Sequence, residues 1–140
     1  MTTAHDIQIL SQTAYGEDRQ DGLEGMVAVC WVVRNRMEIA AQSGRKQFGD
    51  GTYAGACLAP SQFSCWGQVD SVNYRAMISV TLNDPTFQLA TLAALLVITG
   101  QAPDPTGGAT GYFANTIATP AWAAGKTSVI IGSQTYAVGV

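Results

Sequence analysis

The feature that most constrains the fold is a run of apolar side chains between residues 22 and 41. They recur at steps of three and four, which places them on one face of an α-helix: Leu23, Met26, Val27, Cys30, Val33 and Met37. An apolar face of this length must pack against other elements, so we predict that this helix is the most buried in the chain. Ser43 and Gly44 mark its end, because glycine readily terminates helices.

A shorter helix precedes this one, and a polar segment joins the two. A Thr-x-x-Asp pattern at Thr3 and the apolar residues after it predict a helix over about residues 4–15. The joint at residues 16–22 begins and ends with glycine and carries Glu17. Partial burial at a helix end favours the protonated carboxyl form that a general acid needs. The alternative is a structural carboxylate that pairs with Arg19 or caps the next helix.

The rest of the chain predicts two more helices and a small sheet. Glycines and scattered polar residues in 43–68 indicate a long surface excursion. Capping patterns predict helices over about 70–82 and 84–100, and two β-rich runs within 128–138 predict an antiparallel hairpin. We therefore expect an α+β fold, a single domain over residues 1–140 with a mainly helical core and a small C-terminal sheet.

The charge balance argues against one class of partner. Seven Lys and Arg against ten Asp and Glu give a net charge of −3 at pH 7. Nucleic acids need clustered cations to meet their phosphates, so we predict no nucleic-acid binding. The only basic cluster consists of Arg34, Arg36, Arg45 and Lys46. Such a cluster is typical of a solvated helix end; the alternative is contact with an anionic ligand.

Hydropathy and cysteine spacing set further limits. No apolar run reaches the roughly 18 residues that a membrane helix needs, and no signal-peptide pattern opens the chain, so we predict neither membrane insertion nor a signal peptide. The three cysteines and the single histidine, His5, show no metal-binding spacing, so we predict no metal and no other cofactor. Cys30 is predicted to lie in the core. Cys57 and Cys65 are close enough in sequence to bridge, which only geometry decides. We expect a monomer.

Carboxylate chemistry is the type of catalysis that these residues support. A nucleophilic triad needs a histidine, and His5 lies at the terminus. Glycosidases that use two carboxylates hold them about 5 to 10 Å apart. The acids near Glu17 are close to it in sequence, but none is evidently placed across a cleft: Asp18, Asp21 and Glu24.

Three aromatic residues are candidates for ligand contact. Phe63 and Trp66 offer the flat apolar surface that suits a sugar ring. Packing inside the loop accounts for them equally well. Tyr112 either hydrogen-bonds a ligand or occupies the edge of the core as a strand residue.

Four motif blocks carry a more specific pattern than any single residue. The first block is Tyr15-Gly16-Glu17-Asp18-Arg19-Gln20-Asp21 together with residues 24–29 and Val33-Arg34-Asn35-Arg36. The second is residues 57–66, which contains Gln62-Phe63-Ser64, and the third is residues 104–113, which begins Asp-Pro-Thr-Gly-Gly-Ala. The fourth is residues 119–123, followed by Ile131-Gly132. In this order they resemble the SleB-type cell wall hydrolase family, named for a spore-cortex-lytic enzyme. The resemblance extends over about residues 8–138.

The resemblance implies a lysozyme-like or lytic-transglycosylase-like core that cleaves the glycan strands of peptidoglycan. The first Glu of the family's opening motif is the catalytic acid, and here it is Glu17. It would protonate the oxygen between N-acetylmuramic acid and N-acetylglucosamine, then as carboxylate deprotonate the sugar's own 6-hydroxyl and close a 1,6-anhydro ring. The positions that match motif blocks and that we predict to contact the glycan are Tyr15, Gln62, Phe63, Ser64, Trp66, Thr110 and Tyr112.

Four positions depart from the family pattern. Asp21 replaces its second Glu, Met26 replaces a Gln, and Gly111 and Gln134 stand where histidines are common. The alternative function is therefore a non-catalytic peptidoglycan-binding or virion structural domain. An amidase or peptidase is a third possibility, and it needs a metal or nucleophile that one histidine does not supply. A compact catalytic domain of this kind suits a phage endolysin or virion-associated lysin, which acts on the cell wall after release or delivery.

Overall fold

The computed structural model describes residues 1–140 and is mainly helical. Its six α-helices, in chain order, are α1 Ala4–Asp18, α2 Gly22–Ser43, α3 Tyr53–Leu58, α4 Ser64–Gly67, α5 Val72–Ser79 and α6 Pro85–Ile98. Three 3₁₀ turns lie at Arg19–Asp21, Lys46–Phe48 and Ala121–Ala123, and the strands are β1 Gly111–Ala114, β2 Ser128–Ile131 and β3 Gln134–Ala137. The predicted α+β class, a helical core with a small antiparallel sheet, is confirmed.

Local capping patterns set the helix starts where the sequence predicted them. The Thr3 side chain accepts a hydrogen bond from the Asp6 N–H, and the Asp6 carboxylate accepts one from the Thr3 N–H. Asp84 caps α6, and Pro85 is its first residue. Gly44, at φ 66°, ends α2 in the left-handed region that glycine adopts readily.

Helix α1 runs three residues past its predicted end and thereby carries Glu17 on its last turn. Gly16 lies inside the helix against α4, where a Cβ atom would sit 3.0 Å from the Cβ of Cys65 and 3.0 Å from the sulfur of Met77. The glycine that the sequence suggests as a helix breaker is therefore a point of close approach between elements.

The prediction that α2 is the most buried helix is wrong. Ten of the 15 residues of α1 are buried, against nine of the 22 in α2. Helix α1 is packed by α2, α3, α5 and α6, and it buries polar side chains that bond to backbone carbonyls. The hydroxyls of Ser11 and Thr13 donate to residues four positions earlier, and the Gln12 amide donates to the Met77 carbonyl. Because these buried residues are polar, a hydropathy pattern does not reveal the burial of α1.

Two apolar clusters lie on either side of α2. The larger one joins α2 to α1, α3, α5 and α6, and includes Leu10, Met26, Cys30, Val33, Met77 and Val97. The smaller one joins α2 to the sheet through Ala28, Val32, Ala109, Ile131 and Tyr136. Helix α2 therefore connects the helical body to the sheet.

The sheet has the strand order β1-β3-β2, and both pairs are antiparallel. Strands β2 and β3 form the predicted hairpin. Strand β1 adds a third member that the hairpin prediction lacks, with Tyr112 opposite Tyr136. This pairing brings Tyr112 beside the helical body.

The segment predicted as a long surface excursion, residues 43–68, is partly folded into the core. It contains α3 and α4, and Tyr53, Cys57, Phe63 and Cys65 are all buried. Cys30 is buried as predicted, and all three cysteines are free thiols, so Cys57 and Cys65 do not bridge. No helix combines the length and the apolar character that crossing a bilayer would require.

Candidate active site

Glu17 lies half-buried at the C-terminal end of α1, where α4 and β1 meet it. Its Oε2 atom accepts a hydrogen bond from the Cys65 backbone N–H at 3.0 Å and a long one from the Ser64 hydroxyl at 3.5 Å. Its Oε1 atom accepts a short hydrogen bond from the Tyr112 hydroxyl. Both carboxylate oxygens therefore have donors from elements distant in sequence, which fixes the orientation of the group.

Tyr112 is the partner of Glu17 on the sheet side. Burial and the neighbouring Glu17 charge raise the pKa of Tyr112 well above its ordinary value, so the phenol remains a hydrogen-bond donor. Its ring lies 5.3 Å, centroid to centroid, from that of Tyr136 in the smaller core. The phenol is thus held by packing as well as by its hydrogen bond.

Glu17 faces a cleft of about 560 Å³ between the helical body and the sheet. The side chains that line it are mostly polar, and they include Gln62, Ser64, Gln68, Asn73, Tyr112, Phe113 and Gln134. Glu17 is the only carboxylate among the lining residues. A polar, open groove with one acid can bind a sugar chain and exchange one proton with it.

The structure brings four of the seven predicted glycan contacts to this cleft: Gln62, Phe63, Ser64 and Tyr112. Phe63 is nearly fully buried, although it lines the cleft. Thr110 lines a neighbouring cavity instead, and its hydroxyl donates to the Val140 carbonyl.

Tyr15 and Trp66 lie outside the lining of the cleft. Tyr15 is buried and packs edge-to-face on Phe87, with ring centroids 5.9 Å apart. The Trp66 indole packs on the main core and donates to the Thr13 hydroxyl at 2.8 Å. Their motif positions reflect packing in this chain, so we do not retain them as glycan contacts.

Several lining residues were not predicted as glycan contacts. Gln68 and Asn73 come from the loop before α5 and from α5 itself, where no sequence pattern marks them. Phe113 belongs to the third motif block, and the sequence marks Gln134 only as a departure from the family pattern. Their positions follow from the tertiary packing of α5 and the sheet beside α1.

Arg36 is a buried residue of α2 that holds one wall of the cleft in place. The side chain is only 7% exposed, and its Nε donates to the Thr110 carbonyl at 2.7 Å while Nη1 donates to the Gln62 carbonyl at 3.3 Å. Its guanidinium also lies 4.7 Å from the centre of the Phe63 ring. One residue of α2 therefore ties the loop before α4 to the segment that enters β1.

Behind Glu17, two acids form a coupled pair. Asp18 is fully buried, and its Oδ2 atom has no N–H or O–H donor. Burial, followed by a hydrogen bond to Asp21 and the charge of Asp21, raises the pKa of Asp18 to about 8. The hydrogen bond from Asp18 is the largest effect on Asp21 and lowers its pKa. Burial opposes this effect, and hydrogen bonds from Ser133 lower the pKa further. At neutral pH the raised pKa keeps Asp18 largely protonated beside ionised Asp21.

Three departures from the family pattern have structural roles. Asp21 accepts hydrogen bonds from the Ser133 N–H and hydroxyl at 3.0 and 2.6 Å, which holds the β2–β3 turn on the helical body. Met26 is fully buried in the main core. At Gly111 a Cβ atom would lie 2.5 Å from the Val140 side chain and 3.1 Å from Trp122, so this position is closely packed.

The arrangement of side chains offers no grouping of three or more His, Cys, Asp or Glu that could hold a metal ion.

Two solved structures share this fold. The catalytic domain of the Bacillus cereus SleB protein gives a TM-score of 0.72 at 28% identity, over 98% of this chain and 92% of that one. The catalytic domain of the germination-specific lytic transglycosylase SleB from Bacillus anthracis gives a TM-score of 0.70 at 29% identity, over 96% and 95%. Among curated proteins, none is significantly similar to this chain.

A family model described as Cell Wall Hydrolase matches residues 20–137. This range contains the second, third and fourth motif blocks and begins three residues after Glu17. The match covers most of the chain, and both structural neighbours carry the SleB name. The chain therefore belongs to the cell wall hydrolase family, the SleB-type family that its motifs resemble.

Proposed function

We propose that this protein degrades peptidoglycan as a lytic transglycosylase, cleaving the bond between N-acetylmuramic acid and N-acetylglucosamine with Glu17 as acid and then as base. The observation that carries the proposal is the isolation of Glu17: it is the only carboxylate that lines the cleft, and three donors orient it. Two-carboxylate hydrolysis needs a second acid within about 10 Å across the substrate, and no second acid lines this cleft.

In the first step, protonated Glu17 gives its proton to the glycosidic oxygen, and the bond from that oxygen to C1 of the muramic acid breaks. The developing positive charge at C1 then faces the new carboxylate. Donors from Tyr112, Cys65 and Ser64 stabilise this carboxylate, because hydrogen bonds to an anion are stronger than those to a neutral group.

In the second step, the carboxylate takes the proton of the 6-hydroxyl of the same sugar, and O6 bonds to C1. The product carries a 1,6-anhydro ring, and Glu17 is again protonated. No water is consumed, so one carboxyl group completes the cycle. Similarity to a germination-specific lytic transglycosylase supports this outcome over hydrolysis.

Mass spectrometry of the fragments released from purified sacculi tests the proposal. We expect muropeptides with anhydro-muramyl ends, each lighter by one water than the corresponding reducing product. Reducing ends would instead indicate hydrolysis by a muramidase mechanism. Binding to sacculi without any soluble fragment would indicate a non-catalytic wall-binding or virion structural domain and would refute the proposal.

We further propose that the protein acts on peptidoglycan strands as a monomer, without nucleic-acid binding or membrane insertion. The net charge of −3 supports the exclusion of nucleic acid. Action on the wall after phage-mediated release or delivery stays a prediction from the sequence. Detection of the protein in purified virions or in a phage lysate would test it.

A further inference from the structure

A second cavity of about 340 Å³ adjoins the catalytic cleft. Arg36, Ser61, Gln62 and Tyr112 line both cavities, so they share a wall. A ligand whose main chain lies in the cleft can therefore extend a branch into the second cavity.

The second cavity contains two cations. Arg36 forms part of its wall from the buried side, and Arg45 lies exposed at its rim. Both guanidinium groups lie against the ring of Phe48, with their carbon atoms 5.4 and 4.4 Å from its centre. The Gln47 amide, with its oxygen towards Arg45, accepts hydrogen bonds from that side chain at 3.1 and 2.9 Å. Phe48 and Gln47 thus hold two like charges near each other.

No acid of the protein pairs with these cations. None of the residues that line the second cavity is Asp or Glu, and the one ion pair of the chain joins Arg34 to Glu38. The Nη2 group of Arg36 has no acceptor within the protein. Two neighbouring positive charges repel each other, and the repulsion is relieved when an anion binds between them.

One part of the second cavity is apolar, although Ser61, Gln62 and Thr110 also line it. Trp122, which is 47% exposed, lies beside Gly111 and the Val140 side chain, where the absence of a Cβ atom at residue 111 allows close packing. An exposed tryptophan next to two arginines suits a ligand with both carboxylate and aliphatic groups.

We propose that this second cavity, the stem pocket, binds the acidic peptide stem of the muramic acid residue, with Arg36 and Arg45 on its free carboxylates and Trp122 on its aliphatic side chains. The proposal rests on the function proposed above, because it places the glycan in the adjoining cleft. Peptide stems branch from the sugar that is cleaved and carry free carboxylates and alanine methyl groups. The stem pocket would therefore set the preference for stem-bearing over bare glycan strands.

Direct binding of a free stem peptide tests the stem pocket without requiring catalysis. Arg45→Gln is the test variant, because Arg45 is exposed and its removal leaves the buried bonds of Arg36 in place. Arg75→Gln is the matched control, since Arg75 is an exposed cation of α5 that lines neither cavity. The ligands are a synthetic stem tetrapeptide and the same peptide with its carboxylates converted to amides, titrated by NMR.

We expect the Kd for the acidic peptide to rise about two- to fivefold in Arg45→Gln, as loss of one partly screened charge pair predicts. It should stay unchanged in Arg75→Gln, and the amidated peptide should bind the wild type at least as weakly as the acidic peptide binds Arg45→Gln, because amidation removes the contacts with both arginines. Equal affinity for acidic and amidated peptides, or no effect of Arg45→Gln, would overturn the proposal.

The turnover of stem-bearing and amidase-stripped glycan strands separates this proposal from the proposed function. If the stem pocket guides the substrate, the ratio of kcat/KM for stem-bearing strands to kcat/KM for stripped strands falls about two- to fivefold in Arg45→Gln and stays unchanged in Arg75→Gln. Arg45-dependent peptide binding without cleavage of either polymer would refute the transglycosylase and leave the stem pocket supported. If Arg45→Gln cleaves both polymers with the wild-type ratio of kcat/KM, the stem pocket is refuted and the proposed function is not.

Discussion

Replacing Asp18 with Asn should stabilise the protein by an amount that grows with pH. Burial and the neighbouring Asp21 raise the pKa of Asp18 to about 8 in the folded state, against an ordinary value of 3.8. Between these values the native protein keeps a proton that the unfolded chain has released. Because the unfolded state binds fewer protons, the free energy of unfolding falls as pH rises through this window.

The magnitude follows from the linkage of one proton. The slope is about 1.4 kcal/mol per pH unit, so the contribution of Asp18 is fully present below about pH 3.8 and is lost as pH approaches 8. The lowered pKa of Asp21 changes the free energy of unfolding only below about pH 3.8, the ordinary pKa of this group, so it does not alter the slope in this window. Between about pH 5 and pH 7, the wild type should lose roughly 2 to 3 kcal/mol that Asp18→Asn does not lose.

Urea unfolding at about pH 5, 6 and 7 measures this difference. An asparagine amide can donate to Asp21 as protonated Asp18 does and can accept from the Gln20 amide, which bonds to Asp18 at 2.8 Å. The control is Asp70→Asn, because Asp70 is exposed and its φ of 71° suits Asn. A stability difference between Asp18→Asn and the wild type that stays constant across this pH range would refute the reasoning.

Two further predictions concern the site and the thiols. Tyr112→Phe removes a donor to Glu17 and should lower kcat by about 10- to 100-fold while the fold is kept by circular dichroism; wild-type turnover would show that the bond has no catalytic role. Cys30, Cys57 and Cys65 are buried, and burial raises the pKa of the Cys57 thiol to about 12. A thiol reagent should therefore label none of them in native protein and all three in denaturant, and rapid native labelling would contradict their burial.

Local signals in the sequence predict the helix boundaries well. The caps at Thr3 and at Asp84 involve residues two or three positions apart, so their hydrogen bonds follow from the sequence pattern itself. The β2–β3 hairpin is equally local. The burial of α1 and of segment 43–68 depends instead on packing between distant elements, and hydropathy does not record it.

The candidate site shows the same division. Glu17 was predicted from its place between two helices and from motif resemblance, and the structure gives it partners 47 to 95 positions away. Motif positions alone do not separate residues that contact a ligand from residues that support the fold. Tyr15 and Trp66 pack in the core, whereas Gln68 and Asn73 reach the cleft without any motif.

The acid pair behind the site could not have been predicted from sequence spacing. Asp18 and Asp21 look like ordinary polar residues of a helix joint. Their coupling depends on the burial of Asp18 in the folded chain and on Ser133, 112 positions after Asp21, which donates to the Asp21 carboxylate. The same sheet brings Tyr112 to Glu17, so the packing of the sheet on the helical body forms both arrangements.

Loss of activity in Glu17→Gln tests the central claim most directly. The amide keeps the size of the side chain; its oxygen can still accept from the Cys65 N–H and its NH2 can donate to the Tyr112 hydroxyl oxygen, but it cannot deliver or take a proton. Glu38→Gln, on an exposed carboxylate that lines neither cavity, is the matched control. We expect Glu17→Gln to release no soluble muropeptides from sacculi while it keeps the wild-type fold by circular dichroism, and Glu38→Gln to release them as the wild type does. Wild-type release by Glu17→Gln would contradict the claim that Glu17 is the acid and base.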